Sequence, residues 1–134
     1  MNQRFVFSVI VIFVLLMVFG FVVHGLLLSK DYGPITPRIM RDAVDGGRHM
    51  PYLAIGQFIF AIAFVWIYLR GREDKPYLAQ GLRYGAAMAA LTVVAKFLIY
   101  FAVEPLDPML VTKQIVFDSI MTLILGVVVA ALNK

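Results

Sequence analysis

The sequence predicts an all-α membrane protein: four transmembrane helices in an up-down-up-down bundle, with a short interfacial helix in the first loop. Three observations carry this expectation. Of the 134 residues, 62% are hydrophobic and 15% charged, whereas a soluble domain is closer to half apolar and a quarter charged. The mean hydropathy is +0.89. The apolar residues fall into four blocks, each long enough to cross a hydrocarbon core of roughly 30 Å. The spans are placed at about residues 5–28, 51–69, 77–103 and 110–132, as one membrane domain over 1–134 with no room for a separate soluble unit.

The first span follows a single arginine and runs for about 24 apolar residues, beyond the ~7–15 of a signal-peptide core, with no A-x-A-like cleavage site behind it. It is therefore read as retained. Its β-branched and aromatic content would suggest a strand in water. In lipid a lone span must satisfy its own backbone hydrogen bonds, which makes it helical. Ser8, Ile12, Leu16, Gly20 and His24 recur every four residues on one face. His24 is the strongly ionisable residue of this span.

Residues 29–50 form the longest connection. Thr36 is placed as a helix N-cap, Pro37 at the first helical position and Gly46 at the stop. Arg38/Asp42 and Arg41/Asp45 are i,i+4 pairs on the polar side of this short surface helix. A lid over a site below is the functional alternative. In the second span, Tyr52 at one end and Trp66 with Tyr68 at the other suit aromatic belts. Gln57 is its strongly polar interior residue.

The third span carries Gly81, Gly85, Ala89, Thr92, Lys96 and Tyr100 along one helix face. Gly81-x-x-x-Gly85 is the small-residue spacing that lets helix backbones approach closely. It serves packing within the chain or a homodimer contact. In the fourth span Gln114, Asp118, Thr122, Gly126 and Ala130 recur every four residues. The stretch Ala95–Thr122 holds the central feature. Lys96 and Asp118 lie at nearly equal depth on either side of a Pro-punctuated turn, and each lies on its helix's small-residue face. An inward-facing Lys96–Asp118 pair is thus expected, because charges inside a bilayer face protein, water or each other. His24 and Gln57 extend the pair into a polar layer drawn from all four spans.

The net charge of +4 does not indicate nucleic acid, since the basic residues flank the spans as anchors and topology signals. Arg4, Arg70, Arg72, Lys75, Arg83 and Lys134 fall on one side, and Lys30, Arg38, Arg41, Arg48 and Lys113 on the other. This places the termini on the cytoplasmic side. With no cysteine, disulfides, thiolate metal sites and cysteine catalysis are excluded. There is no P-loop, dinucleotide fingerprint or nucleophile motif. No cofactor is expected. A metal held by His24, His49, Asp31 and Glu104 lacks ligand spacing, so no metal site is assigned.

The third span opening as AQGLRYGAAMA after a charged connection, the long first loop, the ending YFAVEPL and the acid early in the fourth span form a distinctive layout. This resembles the small bacterial four-helix membrane proteins grouped as domain of unknown function 1761-like. The resemblance implies a four-span inner-membrane protein and brings no catalytic residues. Small multidrug transporters are also four-span, but their essential acid lies in the first span, which here has none. The function expected first is a noncatalytic accessory or assembly subunit, or a homo-oligomer, with the lipid bilayer and other membrane chains as partners. The alternative is a small proton-coupled carrier using His24, Lys96 and Asp118. An enzyme acting on a lipid or quinone at the 29–50 face is a third reading.

Overall fold

A computed structural model describes residues 2–134. Among the described residues the chain is all-helical, with no strand, and four helices are long and apolar enough to cross a membrane. The first long helix, Gln3–Leu27, starts where the Asn2 side chain accepts from the Arg4 N–H, satisfying one of the free donors of a helix start. Its last part, Phe21–Leu27, is π-helical. The chain continues through a short helix Ser29–Tyr32 and a 3₁₀ turn Gly33–Ile35.

The short helix of this connection is Ala43–Arg48, not a helix opening at Pro37. Asp42, rather than Thr36, is its cap, accepting from the N–H groups of Val44 and Asp45. The Thr36 hydroxyl instead donates backwards to the Tyr32 carbonyl at 2.8 Å. A carboxylate is the stronger acceptor at a helix start and suits its positive end. Gly46 lies inside the helix, not at its stop. Arg41 pairs with Asp45 at 2.7 Å, and its guanidinium holds that carboxyl below the usual carboxylate range. Among the described residues Arg38 and Asp42 form no pair.

The second long helix, Met50–Gly71, carries Pro near its start and ends as the backbone turns extended at Arg72. The third, Tyr77–Val103, is interrupted by a π-helical turn at Ala90–Val94. The fourth, Pro108–Leu132, is capped by Asp107, whose side chain accepts from the Leu110 N–H, and opens on a proline that needs no such partner.

The third and fourth helices make the most extensive contact, and the first packs on both the second and the fourth. The glycine stripe explains the third–fourth contact. A Cβ on Gly81 would lie 2.7 Å from the Gly126 carbonyl, and one on Gly85 would lie 2.9 Å from Leu123 Cα. Real Cβ contacts essentially never fall below 3.0 Å. Gly81, Gly85 and Gly126 therefore let two backbones of the same chain touch. Ala89 is buried on the same face.

The main core, around Ile12, Phe64, Val65, Leu125 and Val129, is closed at its end by Asn133. That amide donates to Ser8 Oγ at 3.0 Å and to the Val129 carbonyl at 2.8 Å. Elsewhere the core divides into two smaller clusters, Val23/Leu28/Tyr32/Leu110 and Val93/Phe97/Val111.

Candidate functional site

His24, Gln57, Lys96 and Asp118 line one cavity of ≈ 160 Å³. Each comes from a different long helix. The bonding between them differs from the sequence expectation. Asp118 is 5% exposed, and its partner is His24, whose Nε2 lies 3.0 and 3.1 Å from the two carboxylate oxygens. Lys96 is exposed and, among the described residues, forms no ion pair. Its Nζ stands 4.7 Å from the ring centroid of Phe97. The Lys96–Asp118 pair is thus replaced by His24–Asp118, and Lys96 is a cavity-lining residue rather than a buried one.

The π-helical turn at Ala90–Val94 supplies the physical reason. Its i→i+5 bonding takes up one more residue per turn than an α-helix. Every later side chain is thereby rotated by about one residue, or roughly 100°, relative to a regular helix. The buried face runs Gly81, Gly85, Ala89 and then Val93 and Phe97. A regular helix would have continued through Thr92, Lys96 and Tyr100. Thr92 bonds backwards to the Met88 carbonyl at 2.7 Å, and Tyr100 is exposed.

In the fourth helix Gln114, Asp118, Thr122, Gly126 and Ala130 are all buried. The Thr122 hydroxyl donates to the Asp118 carbonyl at 2.7 Å, which removes a polar group from the apolar wall.

The cluster extends to Tyr32, which the sequence reading did not single out. Its hydroxyl lies 2.6 Å from His24 Nδ1 and accepts from Gln114 Nε2 at 3.0 Å. A signal for it was available. Tyr32 follows His24 by eight residues, close to two helical turns, and helical backbone continues from one to the other almost unbroken. Burial raises the pKa of the Tyr32 phenol above its ordinary value. The Gln114 bond works against this, while the negative charges of Asp118 and Asp31 add to it. Beside this cluster Lys113 donates to Asp31 at 2.9 Å.

One arrangement gives every contact a single proton. Gln114 donates to Tyr32, Tyr32 donates to His24 Nδ1, and His24 donates from Nε2 to Asp118. Among the described residues Gln114 Oε1 is buried without a partner. If His24 takes up a proton, Nδ1 becomes a donor and Tyr32 must turn its own hydrogen away. Inverting the Gln114 amide would bring Oε1 to meet it. The cluster therefore has two self-consistent bonding patterns that differ by one proton on the imidazole.

The potential metal ligands are dispersed. His49 bonds to the Asp45 carbonyl, Asp31 is taken by Lys113, and among the described residues no three His, Cys, Asp or Glu side chains gather. Comparison with known proteins gives no match to a family model, to a curated protein or to a solved structure.

Proposed function

We propose that this chain is a small integral membrane protein of the bacterial cytoplasmic membrane, crossing the bilayer four times in up-down-up-down order. In this reading it acts as a carrier whose cycle is coupled to proton exchange at His24–Asp118. One observation carries the reading. The acid inside the apolar part of the fourth helix is bonded to a histidine and faces a cavity reached by all four long helices. A lysine–aspartate pair in a closed bundle would serve only to fix helix register. Histidine is the side chain whose charge changes most readily near neutral pH. Ionisable groups at membrane depth are functional by default.

The accessory-subunit or homo-oligomer reading would draw on the small-residue faces. Those at Gly81, Gly85 and Gly126 are already filled by contact within the chain, which favours the carrier.

The test is proton flux into proteoliposomes loaded with a pH-sensitive dye, with small organic cations, neutral solutes and anions supplied in turn. At least one class should move protons through the wild-type protein, and Asp118→Asn should abolish that movement. Undiminished flux in Asp118→Asn refutes the reading.

In the same reading, six Lys/Arg on the side of Arg70, Arg72 and Lys75 against five on the other favour a cytoplasmic place for that connection and both termini. Because the chain has no cysteine, single cysteines at Asp74 and Val44 report sidedness directly. In intact cells the membrane-impermeant reagent should label the second and spare the first.

A further inference from the structure

Next to the polar cavity lies a second, larger space of ≈ 580 Å³, within the range of sites that hold drug-sized ligands. Its walls are mostly apolar, from Met17, Phe21, Met40, Met50 and Leu53, and its polar groups are His24, Tyr32 and Gln57. The two spaces share Leu16, Gly20, His24 and Gln57. The larger space is an open, mostly apolar groove that adjoins the polar one along these four residues.

The polar compartment holds one acid, Asp118, and one base, Lys96, that do not pair with each other. Asp118 is held by His24 and the nearby Asp31 by Lys113. Lys96 lines the cavity without a counter-ion among the described residues. Gln57 lines both spaces and, among the described residues, its amide bonds to nothing.

We propose that these spaces bind a single-chain amphipathic carboxylate, with its hydrocarbon tail in the methionine-lined groove and its carboxylate on Lys96. Methionine suits a flexible chain because its own side chain is flexible and polarisable. Lys96 forms no ion pair among the described residues, and a carboxylate would make a charge-assisted hydrogen bond to it. Gln57 offers a donor to the second oxygen. The polar compartment of ≈ 160 Å³ favours a compact carboxylate over a glycerophosphate headgroup carrying two tails. The inference names a substrate class for the carrier described above, but binding itself does not depend on transport.

The full chain in phosphatidylcholine nanodiscs, titrated with palmitate, tests this. Binding should be saturable. It should weaken by about tenfold or more in Lys96→Met, as loss of a charge-assisted hydrogen bond implies, and persist in Lys96→Arg. Gly20 lines both spaces, and a Cβ there meets nothing within 4 Å. Gly20→Leu starts from that open space, reaches into the site and should weaken palmitate binding, with circular dichroism showing whether the variant is folded. Palmitate methyl ester should bind weakly and without regard to Lys96.

No saturable binding to the wild type, equal affinity in Lys96→Met, tighter binding of hexadecylamine, or displacement of palmitate by phosphatidylglycerol each overturns the proposal. If palmitate binds as described but neither it nor any other solute class drives proton flux, the carrier reading fails and the site stands. If another solute drives flux through Asp118 while palmitate does not bind, the reverse holds.

Discussion

Adding one methyl group at Gly126 tests how the site is held together. The fourth helix positions Asp118, and it is seated against the third by backbone contact at Gly81, Gly85 and Gly126. A Cβ on Gly126 would lie 2.7 Å from both Cα and N of Gly85, and closer still to the Gly81 carbonyl. Real Cβ contacts essentially never fall below 3.0 Å, so the two backbones must move apart by at least the difference from 2.7 Å, 0.3 Å. No side chain can swing aside, because the opposing atoms are backbone. Overpacking of this kind costs about 1–3 kcal/mol, and this site belongs near the upper end. Alanine recovers up to about 1 kcal/mol through helix propensity. The net expectation for Gly126→Ala is a loss of about 2 kcal/mol. Gly20→Ala is the control, since its Cβ enters open space, and propensity alone should make it neutral or up to about 1 kcal/mol more stable. Unfolding of the full chain in mild detergent, followed by circular dichroism, measures both. If Gly126→Ala is as stable as the wild type, the tight contact and the positioning argument built on it are wrong.

Three further outcomes follow from the geometry. Tyr32→Phe leaves His24 Nδ1 and the whole Gln114 amide without partners, and should cost about 1–3 kcal/mol in the same unfolding assay. Because burial raises the Tyr32 pKa, the folded state holds that proton more tightly than the unfolded state. The associated stability is complete below pH 10, falls as pH rises through the raised value, and should be absent from the alkaline limb of Tyr32→Phe. Deleting Leu91, an exposed residue inside the π-helical turn, should be tolerated because it returns the turn to α-helix and leaves Val93 and Phe97 inward. Deleting Leu98, in the regular helix beyond, should instead reduce stability and disturb the site. Asp31→Asn should change stability by no more than about 1 kcal/mol, since its pair with Lys113 is partly exposed.

The four long helices and the polar face of the fourth were legible in the sequence because both rest on simple periodicities. Long apolar runs report helices of spanning length, and a strict four-residue repeat from Gln114 to Ala130 reports one face. The small-residue spacing at Gly81 and Gly85 identified a close contact without naming its partner, because the motif is the same for either. Asp118's partner was misread for a definite reason. The stripe through Lys96 assumes an unbroken α-helix, and nothing in ALTVV announces the extra residue of a π-helical turn. Tyr32 was passed over because it lies in the connection and not in a span. The helix start at Ala43 was missed because Thr-Pro at 36–37 offered a second, familiar start signal upstream of Asp42.

The proposed role of the cluster rests on which side chain holds Asp118. Solid-state NMR of the chain in bilayers can measure the distance from Asp118 ¹³Cγ to His24 ¹⁵Nε2 and to Lys96 ¹⁵Nζ in one sample. The account predicts strong dipolar coupling to His24, none to Lys96, and magnetisation reaching His24 from water in the cavity. Strong coupling to Lys96, with His24 dry and uncoupled, would contradict it and return the pair to a structural role in fixing helix register.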